Sequence, residues 1–306
     1  MTRAIVCAFS PVGRGALAGL LETGIEIQAL YTYPQAPDEA WFEAPATLAE
    51  RHGIPVRMEA DFNTDGVFET LRAEAPDLLL SFYFREMIQA RFLEIPRLGA
   101  FNLHGSLLPA YRGRAPINWA LVRGEAETGI TLHAMTPKPD DGDILGQTRL
   151  PIDWDETALS LTMRMAEAGK ELVREVLPGL VRGTAKPIPQ SGLGSPSYFG
   201  GRKPKDSRLD FAMTAAEAFN QIRAVADPWP NAFLENSLGQ VKVPWALPSV
   251  AHCPQGAFRK TGEGVLLGFA QGSLRIHALK RQGVRSERPT DHALWLQALD
   301  IPEFTA

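Results

Sequence analysis

The first third of the chain alternates short apolar runs with segments of helical periodicity. The apolar runs predict strands at Ala4–Phe9, Ile25–Tyr33, Ile54–Met58 and Leu78–Phe82. Helical patterns lie between them, namely the segment that ends near Leu21, Ala44–His52 and Val67–Ala75. Because such alternation is typical of a parallel sheet with helices on both faces, it predicts an α/β fold.

Three more strands and a long helix continue this pattern. The strands are predicted at Ala100–Leu103, Ile130–Met135 and Ile144–Leu150. Apolar residues then recur at helical spacing through Asp155–Arg182, which predicts a helix that covers one face of the sheet. We assign these elements to a first domain at residues 1–186.

Glycine and proline become dense between Lys186 and Ser207, and this density disfavours both helices and strands. The pattern predicts a linker at residues 187–207. One helix is predicted after it, at Ala215–Val225, followed by strands at Ala232–Leu234, Gln240–Trp245, Gly264–Phe269 and Leu274–Leu279. A small, mostly β second domain at residues 208–306 is the interpretation.

Composition narrows the class of protein. The chain is 45% hydrophobic and 22% charged, as in globular proteins, and it has no apolar run long enough to span a membrane. The N-terminus lacks the features of a signal peptide, so we expect a cytoplasmic protein. Two distant cysteines, Cys7 and Cys253, predict neither a disulfide framework nor a metal site. The net charge of −4 gives no overall attraction for nucleic acid.

A glycine turn follows the first strand. Gly13, Gly15 and Ala18 fit a loose form of the dinucleotide-binding pattern, in which phosphate binds at a helix N-terminus. No acidic residue stands at the ribose position after the second strand, where the sequence has Tyr31-Thr32-Tyr33. A tight turn between strand and helix explains the glycines equally well.

The segment from Phe101 to Pro109 carries the strongest chemical signal. It begins on a predicted strand, where residues two apart share a face, so Asn102 and His104 project together into one crevice. Ligands of open α/β sheets bind at the C-terminal ends of strands. Asparagine donates hydrogen bonds, and histidine transfers protons near neutral pH. Ser106 does not predict a serine hydrolase, because the sequence has no G-x-S-x-G motif.

Charged residues follow this segment. Arg112 and Arg114 flank Gly113, and the planar fork of arginine suits a phosphate or a carboxylate. The alternative is that both arginines are simply solvated. Asp140 lies in a loop between two predicted strands, where its carboxylate is expected to orient His104 and raise its pKa.

Together these features resemble the folate-dependent formyltransferase family. The matching residues are Asn102, His104, Ser106-Leu107-Leu108-Pro109, Arg112-Gly113, Ala115-Pro116, Glu127-Thr128-Gly129, Asp140, Gly142, Arg223 and Asp227-Pro228-Trp229-Pro230. The resemblance implies a Rossmann-like catalytic domain, an OB-like C-terminal domain and 10-formyltetrahydrofolate as the formyl donor. Within the family, the similarity is greatest to members that formylate UDP-4-amino-4-deoxy-L-arabinose. Those members continue into a decarboxylase domain, whereas this sequence ends at Ala306.

The resemblance also implies roles for individual residues. Asn102, His104 and Asp140 are the expected catalytic residues, and no metal is expected. The folate is expected to lie against Glu86, Met87, Ile88, Arg114, Thr136, Pro137, Lys138, Pro139 and Asp140. The acceptor is expected to contact Tyr111 and Arg112, with Arg202 supplying charge for a phosphate or else belonging to a solvated linker.

The expected acceptor is a small nucleotide-linked amino sugar, without nucleic-acid or membrane partners. Residues 15–50 contain no lysine or arginine, whereas Asp38, Glu39 and Glu43 are acidic, so we expect an uncompensated acidic loop that repels tRNA. Methionyl-tRNA formylation, hydrolysis of formyltetrahydrofolate and a non-catalytic binding module are the alternatives.

Overall fold

The computed structural model of the chain describes residues 1–58 and 61–305. It divides into two compact, discontinuous units. The first unit comprises Met1–Pro116, Glu127–Ile152 and Ser160–Gly200, and the second comprises Ile117–Ala126, Asp153–Leu159 and Gly201–Ala306. The last boundary between the units falls between Gly200 and Gly201, within the predicted linker.

The first unit is built on one seven-stranded sheet and a two-stranded ribbon. In chain order the strands are β1 (Arg3–Ala8), β2 (Glu26–Thr32), β3 (Val56–Met58), β4 (Leu78–Phe82), β5 (Ala100–His104), β6 (Arg112–Gly113), β7 (Glu127–Ala134), β8 (Ile144–Pro151) and β9 (Tyr198–Phe199). The sheet has the order β3-β2-β1-β4-β5-β7-β8, and β6 pairs with β9.

Pairing is parallel from β3 through β5 and antiparallel from β5 through β8. Parallel neighbours need a long crossover, and the connection at residues 135–143 is too short for one. The α/β prediction is confirmed, as a mixed sheet whose two last strands run antiparallel to their neighbours.

Helices cover both faces of this sheet. The first six helices along the chain are α1 (Ser10–Leu21), α2 (Pro45–Arg51), α3 (Asp65–Glu74), α4 (Ala90–Leu93), α5 (Pro116–Arg123) and α6 (Ala158–Val181). Of these, α5 belongs to the second unit from Ile117 onward. On one face, Gly169 of α6 lies against the side chains of Leu103 and Ile130. On the other, Leu71 of α3 and Phe92 of α4 belong to a buried core with alternate residues of the strands. Strands buried on both sides explain the continuous apolar runs in the sequence.

The second unit contains a separate antiparallel sheet. Its strands are β10 (Ala232–Asn236), β11 (Gly239–Ser249), β12 (Phe258–Thr261), β13 (Gly264–Gly268), β14 (Ser273–Arg281) and β15 (Val284–Ser286), and its helices include α7 (Ala215–Ala224) and α8 (Pro289–Gln297). The strand order is β10-β11-β14-β13-β12, with β15 on β14. The predicted small β domain is confirmed, although the sequence analysis did not predict β12, β15 or α8. Within the two described ranges, no helix is long and apolar enough to cross a membrane.

Candidate active site

Two adjacent strands of the first unit, β5 and β7, bring three polar side chains onto one face of the sheet. Asn102 on β5 pairs directly with His133 on β7, and His104 is the last residue of β5. Directly paired residues of antiparallel strands project from the same face, as do residues two apart on one strand. The side chains of Asn102, His104 and His133 therefore form one cluster on the sheet face that also includes Ala100 of the apolar core.

Asp140 completes this cluster from the loop between β7 and β8. Its Oδ1 lies 3.5 Å from His104 Nδ1, 3.5 Å from His133 Nε2 and 3.4 Å from Asn102 Nδ2. Its Oδ2 accepts a hydrogen bond of 2.8 Å from the backbone amide of Gly113. The structure thus brings together the three residues that the sequence analysis predicted to be catalytic.

The backbone around Asp140 explains why the motif contains Gly113. Gly113 has φ +100°, and a Cβ atom built on it would lie 2.2 Å from the carbonyl oxygen of Phe199. Only glycine fits such a position without strain and overlap. Asp140 itself has φ +53°, in the left-handed region where aspartate is tolerated better than most residues.

The hydrogen bonds of His104 define which nitrogen faces the site. Its Nε2 lies 2.8 Å from the carbonyl oxygen of Tyr111, and because a carbonyl only accepts, Nε2 carries the hydrogen. Burial lowers the pKa of His104, while the negative charge of Asp140 and the Tyr111 carbonyl act in the opposite direction. Asp140 therefore acts on His104 as expected, but burial outweighs it, and the net direction is downward. A neutral His104 presents a bare Nδ1 that can accept a proton.

Asp140 is held as a carboxylate. Burial acts to raise its pKa, but the neighbouring His104 and His133 rings and the hydrogen bond from the amide of Gly113 outweigh burial and lower the pKa to about 2. The carboxylate is therefore ionised across the neutral range. Among the residues that the structure describes, no cluster of three or more His, Cys, Asp or Glu side chains is arranged to hold a metal ion.

His133 fixes the orientation of the Asn102 amide. His133 Nδ1 lies 2.8 Å from the carbonyl oxygen of Ala134, so Nδ1 carries the hydrogen and Nε2 is an acceptor in the neutral ring. The acceptor Nε2 lies 3.2 Å from Asn102 Nδ2, which must then be the amide nitrogen. Asn102 consequently directs its NH₂ group toward the centre of the cluster.

Arg112, which is expected to contact the acceptor, is buried in the first unit. It is 7% exposed, and its Nε and Nη2 donate to Gln190 Oε1 at 3.2 and 2.7 Å. Its Nη1 forms an ion pair with Asp141. The guanidinium is thus occupied by Asp141 in the loop between β7 and β8 and by Gln190 in the segment that precedes β9.

The expected folate residues differ in exposure and in their contacts. Glu86 Oε2 accepts from the amide of Phe62 at 2.9 Å, Ile88 is buried, and Met87 is 58% exposed. Thr136 Oγ1 donates to the carbonyl of Lys138 at 2.8 Å, which closes a tight turn. Pro137, Lys138 and Arg114 are exposed, and Pro139 is half-buried.

The other two expected acceptor residues lie in different units. Tyr111 stacks on Phe199, with ring centroids 4.8 Å apart and an interplanar angle of 9°. Arg202 belongs to the second unit, where its guanidinium lies 4.9 Å from the ring centroid of Trp119 and donates to the carbonyl of Asp206 at 2.7 Å. Burial lowers the pKa of Arg202 from its usual high value.

The expectation of an uncompensated acidic loop is wrong. Glu43 forms ion pairs with both Arg14 and Arg51, and Glu39 pairs with Arg85. All three arginines lie outside residues 15–50, so the composition of that segment alone did not reveal them. Arg14, Arg51 and Arg85 are therefore each already paired with a carboxylate.

Sequence reasoning missed two polar residues of the site, His133 and Gln190. The alternation of Ile130 and Leu132 with Thr131 and His133 was a usable signal, because it separates an apolar face from a polar one. Gln190 had no comparable signal, since it lies in the segment whose glycines and prolines predicted a linker.

Two protein-family models match the chain. The formyl transferase family model matches residues 37–177, and the model of the formyl transferase C-terminal domain matches residues 202–293. The two matches together cover most of the chain.

Solved structures share the fold at low sequence identity. An N-formyltransferase from Helicobacter canadensis, in complex with folinic acid and dTDP-3-aminofucose, has a TM-score of 0.71 and 20% identity over 90% of this chain and 98% of its own. HypX from Aquifex aeolicus, in complex with tetrahydrofolic acid, has a TM-score of 0.64 and 19% identity; it covers 99% of this chain, which spans only 48% of HypX. Methionyl-tRNA formyltransferase from Clostridium thermocellum has a TM-score of 0.60 and 19% identity over 82% of this chain and 96% of its own.

Proposed function

Because the chain belongs to the formyl transferase family, we propose that it transfers the formyl group of 10-formyltetrahydrofolate to the amine of a nucleotide-linked amino sugar. The observation that carries this proposal is the cluster of Asn102, His104 and Asp140, in which a buried, neutral His104 presents a bare Nδ1 beside an ionised carboxylate. The Helicobacter canadensis enzyme, which binds a folate and a nucleotide sugar, supports the choice of donor and acceptor.

The proposed reaction begins with attack by the uncharged acceptor amine on the formyl carbon. A tetrahedral intermediate forms, and negative charge develops on the formyl oxygen. The NH₂ group of Asn102 donates to this oxyanion in place of its long contact with Asp140, which measures 3.4 Å. Such a donor is worth about 10²–10³ in rate.

Proton transfer completes the reaction. Nδ1 of His104 takes a proton from the attacking nitrogen and delivers it to N10 of the folate as the carbon–N10 bond breaks. The products are the formamide and tetrahydrofolate, so atoms and charge balance. Asp140 stabilises the transient imidazolium, because its carboxylate lies 3.5 Å from Nδ1.

For the acceptor, we propose UDP-4-amino-4-deoxy-L-arabinose. The similarity around Asn102 and Arg114 supports it, and so does the absence of lysine and arginine from residues 15–50. Arg14, Arg51 and Arg85 are engaged by carboxylates, so a tRNA phosphate has to compete for them. Arg114, in the same unit as the catalytic cluster, is the proposed contact for a diphosphate, which arginine binds strongly.

A panel assay tests this function. The purified chain is incubated with 10-formyltetrahydrofolate and UDP- or dTDP-linked amino sugars, methionyl-tRNA, or no acceptor, and formylated products are detected by mass. We expect a formylated sugar nucleotide and a shallow dependence on salt. Formylation of methionyl-tRNA alone, with rates that fall steeply as salt rises, would contradict the acceptor. Formate release without any amine would identify a hydrolase instead.

A further inference from the structure

Gln190 is a buried polar residue in the segment that follows α6, and it is 4% exposed. The backbone two residues earlier is tied to the start of β8 by two hydrogen bonds: Ile144 N to Ile188 O at 2.9 Å, and Ile188 N to Ile144 O at 2.8 Å. This pair places Gln190 beside the loop that carries Asp140. The segment is therefore an integral part of the first unit at this point.

The side chain of Gln190 uses both of its polar atoms. Its Nε2 donates to the carbonyl oxygens of Asp140 at 3.0 Å and Gly142 at 2.7 Å. Its Oε1 accepts two hydrogen bonds from Arg112, whose third contact is with Asp141. A carbonyl only accepts, so these contacts fix which end of the Gln190 amide faces the loop.

The conformation of Asp140 explains what these bonds do. Asp140 has φ +53°, which costs energy for a residue with a side chain and persists only where the surroundings hold it. Gln190 binds the carbonyls on both sides of Asp141 and so closes this part of the loop. Gly142 is also packed against β7, because a Cβ atom built on it would lie 2.0 Å from Ala134 O.

We propose that Gln190 is a positioning residue that holds Asp140 at His104, and that Arg112 acts by orienting Gln190 and not by contacting the acceptor. This inference rests on the proposed function, because it assigns the loop geometry to formyl transfer. Small displacements of catalytic groups lower rates strongly: a shift of about 1 Å costs on the order of 10².

Two substitutions separate the contacts of Gln190. Gln190→Leu removes all of them. Gln190→Glu keeps the size and the acceptor toward Arg112 but, when ionised, removes the donors to Asp140 O and Gly142 O. For both variants we expect kcat to fall by roughly 10- to 100-fold. If Gln190→Leu does not fold, the test rests on kcat of Gln190→Glu, and an unchanged kcat in that folded protein would overturn the inference.

A spectroscopic readout makes the test independent of any substrate. The pKa of His104 is measured by NMR titration of the ring, and its signal among the six histidines is identified with a His104→Gln variant. Asp140 and His133 are the titratable groups that act on His104, and Asp140 raises its pKa. When Asp140 moves away, the pKa of His104 falls further. The acidic limb of the kcat profile then moves to lower pH.

Gln28→Leu is the matched control. Gln28 lies on β2, where its Nε2 donates to the carbonyl of Glu74 at 3.1 Å, so the variant also removes a bond between a glutamine and a backbone carbonyl. It should leave both the pKa of His104 and kcat unchanged.

Arg112 provides a second test. If Arg112 acts through Gln190, the losses in kcat from Arg112→Lys and Gln190→Glu are not additive in the double variant. The pKa test uses Gln190→Leu, because the carboxylate introduced by Gln190→Glu would itself raise the pKa of His104. An unchanged pKa of His104 in the folded Leu variant would overturn the inference. So would additive effects of the two substitutions. If the expected pKa change occurs in a protein that transfers no formyl group to any acceptor, the proposed function fails and the positioning of Asp140 stands.

Discussion

The glycines that follow β1 and the loop between β7 and β8 differ in what fills the space beside their backbones. Gly13 and Gly15 lie within α1, which begins at Ser10, and not in the expected turn between strand and helix. Cβ atoms built on them would lie 2.5 Å from Phe82 O and 2.2 Å from Ala166 O. Protein backbone fills the space that side chains at these positions would need. These glycines allow close packing of α1 against β4 and α6.

The loop between β7 and β8 has the opposite character. Here a residue with a side chain, Asp140, takes the left-handed conformation, and Tyr83, Tyr111 and Ala115 of the same unit do so as well. Tyr111 supplies the carbonyl that binds His104, and the charge of Asp140 acts on the buried hydroxyl of Tyr83. In this molecule the glycine motif marks packing, whereas at Asp140 and Tyr111 a positive φ accompanies a polar group that lies beside His104.

The largest expected effect comes from removing the proton carrier. His104→Ala should lower kcat by about 10²–10⁴ while the protein stays folded, because general acid–base catalysis contributes that much. Steady-state kinetics and a thermal melt measure the two quantities. His52→Ala, at an exposed histidine, is the control. Near-normal turnover of a folded His104→Ala protein would show that His104 is not the proton carrier.

Asp140→Asn should lower kcat by about 10²-fold, as expected when a catalytic group loses its orientation. Because the Asp140 carboxylate raises the pKa of His104, its loss should also move the acidic limb of the kcat profile to lower pH. If kcat falls at every pH but the acidic limb of its pH profile stays at the same pH, Asp140 does not act on His104 through its charge.

The same carboxylate links stability to pH. The pKa of Asp140 is lowered to about 2 in the folded chain, so folding favours the ionised form. Its contribution is present above the unfolded pKa near 4 and is lost as the pH falls through about 2. Asp140→Asn should therefore be less stable than the original chain at neutral pH, and urea unfolding should show the difference shrinking below about pH 4. A difference that stays constant on acidification would contradict this assignment.

Gly15→Ala tests whether Gly15 is needed for close packing of α1 against α6. The added methyl group meets the backbone of α6, which cannot move aside as a side chain can, so we expect destabilisation by about 1–3 kcal/mol. Turnover of the folded protein should not change, because Gly15 does not belong to the catalytic cluster. A variant that is fully stable but has lost folate or nucleotide binding would show that the beginning of α1 is a ligand site.

Gly66→Ala is the smallest change and the control for Gly15. Gly66 lies in the first turn of α3, without positive φ and with nothing within 4 Å of a built Cβ atom. Alanine there should stabilise the chain by about 0.4–1 kcal/mol, mainly by restricting the unfolded state. Denaturant unfolding of the two alanine variants side by side gives the sign of each effect.

The sequence predicted the fold well where apolar periodicity decides it. The run at Leu78–Phe82 gave β4 with its observed ends, and the helical spacing at Asp155–Arg182 gave α6 with an error of a few residues. The antiparallel pairing of β8 with β7 depends on the short loop at residues 135–143, and the periodicity of the strands does not predict it.

The site was predictable only in part. Asn102 and His104 are two residues apart on one strand, so their common face follows from local geometry. The contacts of Arg112 do not, because Gln190 reaches it from 78 positions along the chain. The pKa of His104 likewise depends on burial, which the sequence around it does not state.

Residues 188–190 lie against the start of β8, and this contact decides where a chimaera of this protein with a relative can be joined. The segment after α6 reads as a spacer, yet a chimaera joined there would exchange Gln190 for whatever the donor sequence supplies. The side chain that closes the Asp140 loop would then come from a foreign source. A junction after Gly200, where the first unit ends, transfers the whole catalytic loop together with its support.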